Sequence, residues 1–289
     1  MLIADKWTDF CVLDATCGEK LERWDKYTLV RPDPQVIWKD EKRSGLWKKA
    51  DAVYQRSSSG GGHWAVNKLP EDFTVNYGEY VFKLKPTNFK HTGLFPEQAV
   101  NWDRCYNIIR CAGRPITLLN MFAYTGAASV AASKAGAQVC HIDASRGMVG
   151  WAKENAALNG ISNIRFIVDD CVKFVERELR RGKSYDAVIL DPPSYGRGPG
   201  GEVWKLEDEL YGLLEKTVKL LSEKPLFVLL NSYTTGLSAS CMQYILGSCM
   251  DSRFKNLPHT LSADEIGLPV LSTGYMLPCG SSAFWCAAQ

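Results

Sequence analysis

No stretch of this chain stays apolar for long. The longest apolar runs, such as LFVLL at 226–230, fall far short of the ~20 residues a membrane-crossing helix needs. The opening MLIADKWTDF carries an early acid, Asp5, and no apolar core, so no secretory leader is expected. Net charge is nearly missing as well: 34 Lys and Arg against 32 Asp and Glu leave +2. Residues 1–100 hold 15 basic and 14 acidic side chains and the remainder 19 and 18. Neither part is a basic module, and charge alone argues for no nucleic-acid partner. Histidine is scarce and scattered, at His63, His91, His141 and His259. Ten cysteines are present, but no two stand as C-x-x-C. A metal site is therefore not expected, and reduced thiols of a cytoplasmic protein fit better than a disulfide framework. Internal repeats are absent.

What is present changes character along the chain. Five of the nine tryptophans lie in residues 1–100, with Trp102 just beyond. FTVNYGEYVFKLKP (73–86) alternates at period two around Tyr77-Gly78 and predicts a β-hairpin; SSSGGG (57–62) predicts a loop or hairpin tip. A small β-rich domain over 1–90 is expected, followed by a larger one over 91–289. From about 115 the pattern is strand, helix, strand, helix. Strands are expected at 116–122, 138–143, 164–168, 185–190 and 225–231, with helices between them and two β-like segments at the end. Such alternation implies a parallel sheet covered on both faces. Sheets of this kind bind ligands beyond the carboxyl ends of the strands, where the winding reverses.

The residues just after each strand are polar in a consistent way. After the first comes NMFAYTGAA (120–128), where Gly126 lets the backbone approach a ligand and a helix follows. This stretch lacks G-x-G-x-x-G, so it is not the dinucleotide fingerprint. After the second comes Asp143, an acid suited to the two hydroxyls of a ribose. After the third comes Asp169-Asp170-Cys171, and after the fourth DPPSYGRG (191–198). Asp143, Asp169 and Asp170 are each equally able to cap the following helix. Those readings are independent of one another, and a nucleoside cofactor accounts for all of the strand ends together.

At these residues the chain resembles class I S-adenosylmethionine-dependent methyltransferases, in particular the bacterial family related to the large-subunit ribosomal RNA methyltransferases. The resemblance rests on LNMFAYTGAASVAASKAGAQVCHIDAS (119–145), WAKENAALNG (151–160), VDDC (168–171), DPPSYGRG (191–198) and HTGLFPEQAVNW (91–102). It implies an α/β fold with a Rossmann-like sheet, mostly parallel with an antiparallel last strand, and S-adenosylmethionine as cofactor. Phe122, Tyr124 and Gly126 would line its methionine and ribose, within a cofactor-binding stretch that includes Asn120, Ala123 and Thr125. Asp143 would hold the ribose hydroxyls, with Ala144 and Ser145 beside the adenine. Asp170 would meet the adenine amine and Cys171 pack on the ring. Thr92, Phe95 and Gln98 would close over the cofactor. Asp191, Pro192, Pro193 and Tyr195 would wall the transferable methyl group from the substrate.

A sulfonium methyl is already activated, so the protein has mainly to align the nucleophile. Two prolines stiffen the loop, Asp191 can accept from a substrate amine, and Tyr195 can stack on a flat ring. That suits an unpaired or flipped RNA base. Arg197 is a candidate phosphate contact, and Asn231 and Tyr233 are candidates for completing the substrate pocket. Gly198, Gly200 and Gly201 suggest a lid. Relatives that methylate cytosine C5 carry a cysteine after strand five; here LNSYTTGLS (230–238) has none and Cys241 falls in the next helix. A nitrogen acceptor is expected instead. A small-molecule or protein methyltransferase, a nicotinamide oxidoreductase and a cofactor-binding module without activity stand as alternatives.

Overall fold

The computed structural model describes residues 1–57, 61–197, 203–234 and 236–288. The chain divides into two compact units, Met1–Val100 with Ile266–Cys279, and Asn101–Glu265 with Gly280–Gln289. The first boundary therefore falls ten residues later than the expected one after residue 90, and the first unit takes back a segment from near the C-terminus.

In the first unit, β1 (Leu2–Ile3) pairs in parallel with Ile266–Gly267. A five-stranded sheet follows in order β2 (Phe10–Thr16), β3 (Glu19–Trp24), β4 (Tyr27–Pro32), β5 (Ala52–Arg56) and β6 (Gly62–Asn67). The expected hairpin is β7 (Phe73–Tyr77) and β8 (Tyr80–Leu84), turning through Gly78 at φ 53°. Alternate residues Val75, Tyr77, Tyr80, Phe82 and Leu84 are buried, as the period-two pattern requires. Within this unit Glu22 is fully buried against the Arg31 guanidinium at 2.7 and 2.9 Å.

The second unit opens with α1 (Ala99–Cys111), whose Cys105 and Ile109 face the core. Then come β9 (Thr117–Met121), α2 (Ala127–Lys134), β10 (Gln138–Asp143), α3 (Arg146–Leu158), β11 (Arg165–Val168), α4 (Cys171–Arg180) and β12 (Ala187–Leu190). A short hairpin of β13 (Tyr195–Arg197) and β14 (Val203–Lys205) precedes α5 (Leu206–Lys219), β15 (Phe227–Ser232), α6 (Ala239–Phe254), β16 (His259–Pro269) and β17 (Met276–Ala287).

The sheet runs β16-β17-β15-β12-β9-β10-β11. Strands β11, β10, β9, β12 and β15 are parallel, and β17 is antiparallel to β15. Both faces are covered. Leu118, Val139 and Ile189 pack with Cys105 and Ile109 of α1, Ala132 of α2 and Ala156 of α3. Leu119, Met121 and Val188 pack with α4, α5 and α6 through Phe174, Leu214 and Leu246. The small residues of α2 let it lie close on the sheet, while side-chain caps from Ser145, Asp170 and Ser238 start α3, α4 and α6. The chain goes outward from β9 to β10 and β11, then returns to place β12 on the other side. The switch point therefore lies between β9 and β12, and the loops after those strands border it.

Candidate active site at the switch point

The loop after β9 is held in an uncommon shape. Phe122 and Tyr124 have φ of 54° and 51°, in the left-handed region that bulky residues avoid, and Gly126 follows at 86°. Such residues cost on the order of 1–3 kcal/mol each and persist only where surroundings over-determine them. Here the surroundings do. Ala123 N–H donates to the Ile142 carbonyl at 3.0 Å, and Tyr124 N–H to Asp143 Oδ2 at 2.9 Å. Asn155 of α3 donates to the Thr125 carbonyl at 2.8 Å. Gly126 admits no side chain, because a Cβ there would lie 2.9 Å from the Ala152 Cβ.

Asp143 ends β10 and ties this loop to the next. Its Oδ1 accepts from Ser145 N–H at 2.8 Å while Oδ2 accepts from Tyr124. Burial pushes its carboxyl up from the ordinary aspartate value, and the two N–H donors only partly offset that. Each carboxylate oxygen keeps a second lone pair. The pair can accept two neighbouring hydroxyls without giving up the backbone bonds.

Asp170 caps α4, its Oδ1 accepting from Lys173 N–H at 2.9 Å, so the capping alternative holds at this position. Asp169 pairs with Arg177. Cys171 is buried in the core, and burial drives its thiol up although Phe122 N–H donates to it. Ala144 and Ser145 are exposed at the start of α3.

The DPPSY loop is pinned from three sides. The Trp204 indole of β14 donates to the Pro193 carbonyl at 2.7 Å, and its ring lies 5.4 Å from that of Phe122. The Ser194 and Thr234 hydroxyls meet at 2.6 Å, joining the loops after β12 and β15. Leu206 N–H donates to the Ser194 carbonyl at 3.1 Å. Pro192 is buried and Asp191 half-buried, while Tyr195 is 52% exposed. Tyr233 is half-buried after β15.

Two expected site residues turn their side chains into the core. The Asn120 side chain shares the face of Leu118, where its amide donates to Ser129 Oγ at 2.9 Å, and Ser129 meets His141 Nδ1 at 3.0 Å. Asn231 is 3% exposed, and its oxygen accepts from Ser282 at 2.6 Å and Asn101 at 3.2 Å. Both amides are engaged in the core. Thr92, Phe95 and Gln98 belong to the first unit, where Thr92 and Gln98 are buried and Phe95 packs against the His91 ring at 5.2 Å. Gly198, Gly200 and Gly201, and the Arg197 side chain, lie outside the described residues. Thr234 is a site residue whose contact residue type did not reveal.

A doubly wound sheet whose switch point holds a half-buried carboxylate at Asp143 and a pinned Asp-Pro-Pro loop has the architecture of a nucleoside-cofactor enzyme. The chain belongs to the S-adenosylmethionine-dependent methyltransferases, whose family model matches residues 52–224. It is similar to a SAM-dependent methyltransferase from Agrobacterium tumefaciens of known structure, with 35% identity and a TM-score of 0.90, covering 99% of this chain and 93% of that one. SMU.776, solved as a complex with SAH, has the same fold at 19% identity and a TM-score of 0.72, covering 98% of this chain and 76% of that one. A ribosomal RNA large subunit methyltransferase K/L from Shewanella frigidimarina is 35% identical over 156 residues, 53% of this chain. This chain spans about a fifth of the length of that relative, 21%. Among the described residues no helix is long and apolar enough to cross a membrane, and none of the His, Cys, Asp and Glu side chains are grouped to hold a metal ion.

Proposed function

We propose that the enzyme methylates a nitrogen of an unpaired or flipped base in ribosomal RNA. The pinned loop carries this reading: Asp191 to Tyr195 is fixed at the Pro193 and Ser194 carbonyls and at the Ser194 hydroxyl, yet leaves Tyr195 half-exposed. Such a loop can stack a flat ring on Tyr195 while Asp191 accepts a hydrogen bond from a ring or exocyclic N–H. S-adenosylmethionine, when bound, supplies a methyl group on a sulfonium, already activated for in-line displacement. The chain's own contribution is orientation, worth up to ~7–11 kcal/mol of barrier, together with an acceptor at Asp191 for the proton the nitrogen releases. Asp143 would hold the ribose hydroxyls, the loop from Phe122 to Gly126 the rest of that end of the cofactor, and Asp170 and Cys171 the adenine side. Arg197 and Tyr233 are proposed for the substrate side.

Support for RNA comes from the similarity to the ribosomal RNA large subunit methyltransferase K/L of Shewanella frigidimarina, and the proposed substrate would place the enzyme in the cytoplasm. Support for nitrogen comes from the thiols. Cys171 is buried with its thiol pushed up, and Cys241 is in the first turn of α6. A small-molecule acceptor is the second reading, favoured by the net charge of only +2. Nucleoside analysis of RNA after reaction should find an N-methylated base, formed equally well by Cys241→Ala. A 5-methylpyrimidine product that disappears in Cys241→Ala would overturn the nitrogen assignment.

A further inference from the structure

Residues 87–91 of the first unit form a loop with unusual fixation. Five successive carbonyls each accept from a side chain. Trp64 Nε1 donates to Thr87 O at 2.7 Å, the Tyr54 hydroxyl to Asn88 O at 3.3 Å, and Arg31 Nη1 to Lys90 O at 2.9 Å. The Thr87 hydroxyl, a single donor, is shared between Phe89 O at 3.1 Å and His91 O at 2.8 Å, and accepts from Phe89 N–H at 3.1 Å. Two of the anchors are buried: Tyr54 is 3% and Arg31 5% exposed, and Arg31 is paired with Glu22. Yet this rigid loop holds Phe89 65% exposed. Core packing does not need that ring, and a flexible tip would not need that many anchors.

The charges beside it are unbalanced. Lys20 is paired with Glu22 and Asp33, and Arg31 with Glu22. Lys90, half-buried, has only the Pro32 carbonyl at 3.4 Å and no ion pair among the described residues. Burial pushes its amine down to about 8, Asp33 opposes this, and Lys20, Arg31 and Arg56 add to it. An anion placed beside Lys90 would relieve that repulsion.

We infer that the 87–91 loop is a stacking platform for an unpaired RNA base, with Phe89 as the stacking face and Lys90 meeting the adjoining phosphate. Single-stranded nucleic acid is the polyanion whose repeat places a flat π-face next to each charge, which a duplex hides. This rests on the RNA reading above and adds a contact carried by the first unit.

The test is equilibrium binding of a labelled unpaired oligoribonucleotide by the full chain, with labelled-methyl transfer to RNA measured in parallel. Phe89→Ala should bind roughly tenfold more weakly, the loss of one stacked base, and Phe89→Trp should restore binding. Lys90→Gln should lower the slope of log affinity against log salt by about 0.7, one single-strand phosphate contact. Wild-type binding that Phe89→Ala leaves unchanged would overturn the platform and leave the RNA reading intact. No binding and no transfer by the wild type would overturn both.

Discussion

Asp143 holds the β9 loop and offers acceptors to a ligand with the same two oxygens. Asparagine keeps the size but sets a donor against the N–H of Tyr124 or Ser145. Asp143→Asn is expected to weaken S-adenosylmethionine binding by about 1.5–3 kcal/mol, the range for one hydrogen bond to a charged group, as read by calorimetry. The carboxyl is pushed up by burial. Its share of fold stability is therefore largest when protonated and falls as pH rises through the raised value. Ligand acceptance runs the other way and should be lost as pH falls, earlier than for an exposed aspartate. Glu22 shows the opposite sign. Burial would raise its carboxyl, but Arg31 and then Lys20 hold it at about 2, below the ordinary 4.5. The stability it contributes is complete above 4.5 and lost as pH falls toward 2. Glu22→Gln leaves Arg31 buried and uncompensated, so a loss of about 3–5 kcal/mol is expected in urea unfolding. At this scale the residue types at the strand ends were legible, since acids and glycine there have few uses. The left-handed Phe122 and Tyr124 were not, because tertiary anchors impose that shape against local preference. That the Asn120 and Asn231 side chains turn into the core was not legible, because a polar residue near a strand end can turn to either face.

At the scale of elements, α2 depends on Gly126 twice, for φ of 86° and for the missing Cβ at 2.9 Å from Ala152. Gly126→Ala should cost about 1–3 kcal/mol of stability through strain and crowding, measured by thermal or urea unfolding, with a parallel fall in cofactor affinity. The β13–β14 hairpin carries Trp204 to the Pro193 carbonyl. Trp204→Phe keeps the ring near Phe122 and removes the N–H. It should raise KM for the acceptor several-fold and leave cofactor affinity within twofold of wild type, a loss of ~1 kcal/mol for one neutral hydrogen bond. The alternating strands and helices were legible because a two-sided parallel sheet demands continuous apolar runs. The hairpin was obscured by the glycines of GRGPGG, and α1 by its mixed polar surface, although Trp102, Cys105 and Ile109 follow helical spacing.

For the whole molecule, the second unit is a methyltransferase sheet with its switch point between β9 and β12, and the first is a β-rich unit closed by a returning C-terminal segment. That return was not legible, because His259–Pro269 and Met276–Ala287 appear in sequence only as two more strands. Charge was the least informative global property: +2 neither favours nor forbids a polyanion when cationic groups are gathered at one loop. At this scale the proposed function is movement of a methyl group from S-adenosylmethionine to RNA. The direct measurement is transfer of labelled methyl to protein-free ribosomal RNA by the wild type and by Asp143→Asn. Label in an RNA base with the wild type, and far less with the variant, is the predicted result. Cofactor binding with no label in any RNA fraction would contradict it.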